Sequence, residues 1–168
     1  TAVCLFSCQR REHDAILSRG RGVLAQPFGA RLRYLGVLSI GEGHCSEQIA
    51  TWRDINKVYV KENAIYAIKN DGTVIYAGET DYENAEYIYA WENIDRLYLA
   101  DKHMLALTKN ATVKAVGNND NGQCEVEEWY DIIDIAVAFH SVGLSKEGKV
   151  YAIGENNFGE CDVEGWQD

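Results

Sequence analysis

The stretch "WYDIIDIAVAFHSVGLSKEGKVYAIGENNFGECDVEG", residues 129–165, consists of short apolar runs separated by turn residues. The runs "DIAVA", "SVGLS", "KVYAIG" and "ECDVEGW" are too short for helices, and Gly, Asn, Asp and Glu lie around them. The stretch therefore predicts four short strands that pair side by side in an antiparallel sheet.

The same pattern occurs twice more upstream, in the order and spacing of the third copy. The tryptophans Trp52, Trp91, Trp129 and Trp166 follow one another at intervals of 39, 38 and 37 residues. We expect each of them to seal the boundary between neighbouring sheets, because a large apolar side chain recurs there. Repeats of this length with four strands each predict an all-β fold, a β-propeller with a partial or small ring of about four four-stranded blades.

The repeats divide the chain into four predicted parts. Residues 52–90 and 91–128 each form a blade, and residues 129–168 form another that ends at the start of a further repeat. Residues 1–51 are expected to form a divergent, Arg-rich first blade or blades, because residues 37–52 resemble the end of the third repeat. A partial ring leaves blade faces open, so self-association that covers them is an expected form of partnership.

Charge and hydropathy limit the function classes. The net charge of −10 would repel a phosphate backbone, so we expect no nucleic-acid partner. No apolar run approaches the roughly 20 residues that span a bilayer, and the opening "TAVCLFSC" lacks the features of a signal peptide. We therefore expect no membrane partner and favour a cytoplasmic location, although the compartment stays open because no initiator Met begins the sequence.

The side chains that could carry chemistry do not form a recognisable centre. The five cysteines lack CxxC spacing, and His44 beside Cys45 has no second Cys/His pair at ligand distance, so we predict no metal and no cofactor. His103 and His140 have no acid or nucleophile in phase with them. We expect them to cap or pack within their own blades, and we predict no catalytic residues and no enzyme activity.

The stretch "NNDNGQCEVEEW", residues 118–129, nearly matches a calcium-binding loop. The first ligand position of that loop, however, is Gly117, which has no side-chain oxygen, and predicted strands flank the stretch. We therefore interpret it as a turn that leads into the outermost strand of its blade, with Cys124 and Val126 facing inward.

The repeat resembles that of the regulator of chromosome condensation family, in its short bacterial form. The resemblance follows the pattern W-x-D-I, then H-x-x-x-L, then G-x-V-x-x-x-G-x-N-x-x-G-x-C-x-V-x-x-W. The third repeat carries it at Trp129, Asp131, Ile132, His140, Leu144, Gly148, Val150, Gly154, Asn156, Gly159, Cys161, Val163 and Trp166. The first repeat departs from it, with Ala64 at the histidine position and no Gly-x-Cys, so we expect a looser blade there.

The resemblance implies a ring of about seven blades and a role in binding other proteins. Family members are similar to nucleotide-exchange factors for small GTPases, to chromatin-associated proteins and to a secreted bacterial inhibitor of β-lactamases. We predict a non-catalytic protein-protein interaction scaffold. The alternatives are an exchange factor or secreted enzyme inhibitor of the same fold, then a carbohydrate-binding or enzymatic propeller, and a calcium-dependent module.

Residues that differ between the copies are free to bind a partner, because those that agree serve the blade. The predicted tips between first and second strands carry Glu62, Asn63, Asp101, Lys102 and Phe139, which form one candidate face. The loops after the third strands add Tyr82, Asp120 and Phe158. Aromatic side chains ringed by polar ones are typical of protein-binding surfaces, so these eight residues are the predicted partner-binding set.

Overall fold

A computed structural model describes residues 48–166, which form three antiparallel three-stranded sheets in chain order. The first sheet contains β1 (Ile55–Lys61), β2 (Ala64–Lys69) and β3 (Val74–Gly78). The second contains β4 (Ile94–Leu99), β5 (His103–Thr108) and β6 (Val113–Gly117), and the third β7 (Ile132–Val137), β8 (His140–Ser145) and β9 (Val150–Gly154). The predicted all-β class is confirmed.

The same local devices shape each blade. The first strand carries a bulge near its start in every copy, between Ile55 and Lys57 in the first. The tight turn between second and third strands contains a residue with positive φ, which is Gly72 in the first blade. The Asp71 carboxylate stabilises that turn by accepting hydrogen bonds from the amide and hydroxyl of Thr73. Equivalent residues therefore occupy equivalent places in all three sheets.

Each sheet is buried on the sides that touch a neighbour. All six residues of β5 are buried. Met104 and Ala106 pack against the first blade, while Leu105 and Leu107 on the opposite side pack against the third. Because successive side chains of a strand point to opposite faces, a strand sandwiched between two sheets has no side that faces water.

The tryptophans lie where the sequence predicted. Trp91 belongs to the core between the first and second blades, and Trp129 to the core between the second and third. Trp52 is also buried, whereas Trp166 is exposed. The expectation that these side chains seal blade boundaries is confirmed for Trp91 and Trp129.

The number of strands per blade differs from the prediction. The segments predicted as fourth strands, such as residues 123–129, form consecutive turns instead of a strand. Their backbone amides bond locally, Glu125 to the Gly122 carbonyl, Val126 to Cys124 and Trp129 to Val126, so they are not available to a ladder. The side-chain pattern is nevertheless as expected, because Val126 is buried while Glu125 and Glu127 face water.

The first blade is not the looser blade that its missing motif suggested. Its strands pair in the same register as those of the other two blades. A 3-10 helix, η1 (Ala85–Ala90), replaces the turn that contains Gly-x-Cys in the other copies. The helix buries Ala85 and Ile88, which supply the apolar contacts that Val126 makes in the second repeat.

Two expectations concern parts of the chain beyond this description. The divergent first blade or blades predicted for residues 1–51 lie outside the described residues except for 48–51. His44 and Cys45 lie wholly outside them. Within residues 48–166, no helix has both the length and the apolar character needed to cross a membrane.

Candidate functional site

The variable loops gather at one end of the blades. In each blade the first and third strands run in the same direction, so the tip after the first strand lies beside the exit of the third. The backbone joins the two loops: Glu79 donates its amide proton to the Asn63 carbonyl at 3.2 Å, and Asn118 to the Lys102 carbonyl at 2.8 Å. The two sets of loops that the sequence analysis treated separately therefore share one end, called here the loop end.

A glycine makes this approach of the two loops feasible. Gly117 has φ of 111°, and a Cβ atom placed on it would lie 2.4 Å from the Lys102 carbonyl oxygen. Gly154 has the same relation to His140, with a Cβ position 2.7 Å from the histidine Cα. In the second and third blades, the glycine that ends the third strand thus recurs because no side chain fits there.

Predicted residues of the first two blades surround a shared depression at the loop end. The depression has a volume of about 470 Å³ and is lined by Glu62, Asp81, Glu83, Asp101, Lys102 and Asn118. Three of these were predicted, namely Glu62, Asp101 and Lys102. Asp81, Glu83 and Asn118 were missed, although Asp81 and Glu83 flank the predicted Tyr82 in sequence. Asn63, the fourth predicted tip residue of these blades, lies beside Glu62.

Carboxylates dominate this depression, called here the acidic depression. Four of its six lining residues are Asp or Glu, against the single ammonium group of Lys102. Lys61 lies next to it and makes an ion pair of 2.8 Å with the exposed Glu62 carboxylate, which is a weak interaction in water. The depression therefore presents a negative surface to solvent.

Tyr82 is not part of the exposed surface, which corrects the sequence-based expectation. Its side chain is buried in the core between the first and second blades, and its hydroxyl donates a hydrogen bond of 2.7 Å to the Ala100 carbonyl. Burial raises the pKa of the phenol, with a further contribution from nearby Tyr66. The ring joins two blades, so it cannot reach a partner without opening that interface.

The other predicted residues lie on exposed loops of the second and third blades. Phe139 and Phe158 are exposed, and neither lines the acidic depression. Asp120 is exposed as well, and its carboxylate accepts a hydrogen bond of 2.7 Å from the Asn118 side chain. The predicted set thus divides into residues at the acidic depression, exposed residues beside it and the buried Tyr82.

A histidine and a serine meet between the second and third blades. The His103 Nε2 atom lies 2.9 Å from the Ser141 hydroxyl, which donates a hydrogen bond of 2.7 Å to the Gln123 carbonyl. Both His103 and Ser141 are fully buried, and burial together with His140 lowers the pKa of His103. The expectation that His103 packs within its own blade is wrong, because its partner belongs to the next blade.

The oxygens of "NNDNGQC" point to the loop itself. The Asn119 side-chain oxygen accepts a hydrogen bond of 2.8 Å from the Cys124 amide, and the Asn118 oxygen accepts one of 2.7 Å from the Gln123 side chain. Asn156 and Cys161 repeat the first of these bonds at 2.8 Å in the third blade. The N-x-x-x-x-C spacing is therefore a turn-closing device.

The cysteines of these turns are half-buried free thiols. The Cys124 sulfur lies 3.3 Å from the Asn118 carbonyl oxygen, and burial raises the pKa of its thiol to about 11. A thiol with such a pKa is protonated at neutral pH and is a poor nucleophile. Across residues 48–166, no group of three or more His, Cys, Asp or Glu side chains is arranged to hold a metal ion.

Comparison with solved structures finds matches of low sequence identity, each with a TM-score below 0.5. Prp20p from Saccharomyces cerevisiae, whose structure was described with its binding to Gsp1p and histones, is 18% identical over 66% of this chain and 34% of its own, with a TM-score of 0.48. The C-terminal domain of gp131 from bacteriophage phiKZ is 15% identical over 68% of this chain and 40% of its own, with a TM-score of 0.45. The ectodomain of the Physcomitrella patens receptor kinase CR4 is 15% identical over 61% of this chain and 30% of its own, with a TM-score of 0.44.

The chain spans about a third of the length of the first of these structures. No curated protein sequence matches the chain. Residues 136–160, which run from β7 through β9 into the turn that follows, match the family model described as Regulator of chromosome condensation (RCC1) repeat. The predicted resemblance to this repeat is therefore confirmed for the segment 136–160.

Proposed function

We propose that this protein is a non-catalytic interaction scaffold that binds a protein partner at the loop end of its blades. The observation that carries the proposal is the acidic depression. It is formed by variable residues of two different blades, Glu62 and Asp81 from the first and Asp101 and Lys102 from the second. The rigid, repeated strands hold these loops in place, which is a common arrangement for binding surfaces.

The charge of the surface indicates the chemistry of the partner. Glu62, Asp81, Glu83 and Asp101 carry exposed carboxylates toward the same space, and exposed pairs of like charge repel one another. A basic segment of a partner would relieve this repulsion and would be attracted over a distance of about 8–10 Å at physiological salt. We therefore propose a partner that presents lysine or arginine side chains.

The described residues support binding in preference to catalysis. The pair with the best geometry for proton transfer, His103 and Ser141, is fully buried between two blades and cannot contact a substrate. Charged side chains on the first strands of the described blades form ion pairs with one another, namely Lys57, Asp95, Arg96 and Asp134. An exchange factor or an enzyme inhibitor would also act through a protein-binding surface, and the identity of the captured partner separates these alternatives.

The test is affinity capture from native lysate followed by mass spectrometry, with two charge-swapped variants. The first exchanges the charges at the acidic depression, Asp101→Lys with Lys102→Asp. The matched control exchanges the exposed pair at the opposite end of the third blade, Lys146→Glu with Glu147→Lys. Both variants keep the net charge of the protein.

We expect the first swap to reduce recovery of a specific protein at least about tenfold, and the control swap to leave recovery unchanged. Binding should also weaken as salt increases, because the charges are exposed. Equal recovery by the unmodified protein and both variants would reject the acidic depression as the binding surface.

A further inference from the structure

Asn121 is followed by Gly122 in a turn at the loop end of the second blade. None of the other asparagines in the sequence precedes a glycine. The third blade has Phe158 before Gly159 at the equivalent turn, and η1 replaces this turn in the first blade. Among the three described blades, only the second therefore has a side-chain amide followed directly by the unhindered backbone nitrogen of a glycine.

The surroundings of this pair leave the asparagine side chain free to move. Asn121 is exposed, and its side-chain amide makes no hydrogen bond to any part of residues 48–166, although its backbone amide donates to the Gln123 side-chain oxygen at 2.9 Å. Gly122 has φ of 78°, and the nearest atom to a Cβ position on it, in a flexible side chain, is 3.5 Å away. The Asn121 side chain can therefore rotate toward the Gly122 nitrogen without a steric obstacle.

An asparagine side chain and the backbone nitrogen of the next residue can close a five-membered ring. The Gly122 nitrogen forms a bond to the Asn121 Cγ atom, the bond from Cγ to Nδ2 breaks, and the proton of the Gly122 amide leaves with Nδ2 as ammonia. Water then adds to one of the two carbonyl carbons of this succinimide and opens it, to aspartate or to isoaspartate. Glycine favours ring closure, because it has no Cβ atom and adopts a wide range of backbone angles.

We propose that the pair Asn121 and Gly122 is a site of spontaneous deamidation, with water as the only co-reactant. Each event replaces a neutral amide by a carboxylate, so it adds one negative charge to the loop end beside the exposed Asp120. The turn slows the reaction, because Gly122 donates its amide proton to the Asn119 carbonyl at 3.1 Å. This hydrogen bond lies in an exposed loop, where local opening costs little free energy, so opening of the turn sets the rate.

The pair Asp71 and Gly72 has the same spacing but a different reactivity. The Asp71 carboxylate accepts hydrogen bonds from the Thr73 hydroxyl and amide at 2.6 and 2.9 Å, and these bonds lower the pKa of Asp71. An ionised carboxylate is a poor electrophile, because an oxide ion would have to leave from it. We therefore expect Asp71 to stay unmodified under conditions that convert Asn121.

The isoaspartate product would change more than the charge. Isoaspartate lengthens the backbone by one atom at residue 121, close to Gln123, whose carbonyl accepts a hydrogen bond of 2.7 Å from the Ser141 hydroxyl of the third blade. Ser141 also lies 2.9 Å from His103, so the boundary between the second and third blades depends on the place of Gln123. Aspartate keeps the original length of the backbone. Only the isoaspartate form should therefore weaken this boundary.

The test is incubation of the whole chain at neutral and mildly alkaline pH, followed by proteolysis and mass spectrometry of the peptides. Labelling with protein isoaspartyl methyltransferase detects the isoaspartate product. We expect Asn121 to react at least about tenfold faster than the exposed Asn119 and Asn157, which corresponds to about 1.4 kcal/mol in the barrier. The rate should increase with pH, because the attacking nitrogen must lose its proton.

Three variants separate the chemistry from the fold. Asn119→Ala removes the hydrogen bond to the Cys124 amide, so it should loosen the turn and accelerate the reaction at Asn121. Asn121→Gln should abolish the reaction, because its longer side chain cannot form the five-membered ring. Asn121→Asp carries the added charge with a normal backbone and should keep the Tm of the unmodified protein. The isoaspartate form, separated by ion exchange, should melt at a lower temperature than Asn121→Asp.

Three outcomes would overturn the proposal. Asn121 could stay unmodified while the same peptide, cut from the protein, is converted, which would show that the hydrogen bond from Gly122 to Asn119 blocks the attack. Asn119 and Asn157 could react as fast as Asn121, which would remove the role of the glycine. The isoaspartate form could melt together with Asn121→Asp, which would exclude the effect on the blade boundary. The reaction requires no partner, so none of these results would decide the proposed function.

Discussion

Ala111 occupies a position that its neighbours in the other blades fill with glycine. It lies in the turn between β5 and β6 with φ of 60°, where Gly72 and Gly148 have φ of 87° and 82°. The turn is tightly bonded, since Ala111 donates its amide proton to the Thr108 carbonyl and accepts a hydrogen bond from Ile132 of the third blade. The chain therefore holds an L-residue with a side chain in the left-handed region, and Ala111→Gly should stabilise the protein.

The magnitude follows from two opposing terms. A residue with a Cβ atom costs about 1–2 kcal/mol in the left-handed region, and glycine removes this cost. Glycine also makes the unfolded chain more flexible, which costs about 0.4–1 kcal/mol. The expected gain in the free energy of unfolding is thus about 0.5–1 kcal/mol. For a protein of this size, that gain raises Tm by about 1–4 °C.

The measurement is thermal and urea unfolding of the unmodified protein and of two variants, Ala111→Gly and the reverse change Gly148→Ala. The reverse change should lower stability by a similar amount, because it places a Cβ atom at the same point of the third blade. If Ala111→Gly lowers Tm, the backbone at this turn is not strained and the explanation from left-handed geometry is wrong.

Three further predictions concern the contacts between loops and blades. Burial lowers the pKa of His103, so the unfolded chain binds a proton at this residue at a higher pH than the folded chain does. The free energy of unfolding should therefore fall as pH drops below about 6.5, and it should continue to fall until pH reaches the lower pKa of the folded state. His103→Gln should show a flatter pH dependence of urea unfolding in this window, and an equally steep one would exclude His103 as its source. Gly117→Ala should lower the free energy of unfolding by about 2 kcal/mol or more, because its Cβ atom would meet the Lys102 carbonyl. Gly165→Ala is the control in the same denaturation assay and should lower it less, because Gly165 has a similar φ but open space around its Cβ position. Asn119→Ala removes the hydrogen bond to the Cys124 amide and should cost about 1 kcal/mol, and an unchanged Tm would show that this bond does not stabilise the turn.

The repeat could be predicted because its signals are local. The spacing of Trp52, Trp91 and Trp129 gave the period, and the apolar runs between them placed the strands. The fourth strand could not be excluded in this way. "ECDVEGW" alternates as a strand does, but whether its amides bond to a ladder or to nearby carbonyls depends on what lies beside it. In the structure the Asn156 side chain closes a turn on the Cys161 amide, and the segment stays irregular.

The site could be predicted only in part. Sequence comparison between the copies identifies variable loops, but it does not show which of their side chains are buried. Tyr82 and Phe158 share one place in the repeat and both are large aromatic residues. Tyr82 is buried beneath the second blade, whereas Phe158 is exposed. Asn121, at this place in the second repeat, is also exposed although the third blade follows it, so the path of the loop decides burial here. Asp81 and Glu83 line the acidic depression because the turn of the chain around the buried Tyr82 directs their side chains to solvent.

The sequence by itself determined the period, the strands and the positions of the tryptophans and turn glycines, because each depends on interactions within about 40 residues of chain. Only the tertiary structure decided which equivalent residues are covered. It paired His103 with Ser141, placed Glu62 and Asp101 at one depression and left Val58 and Leu144 exposed on opposite sides of the described blades. These outcomes depend on the neighbour of each blade, and a repeat sequence specifies the same blade whether or not a neighbour packs against it.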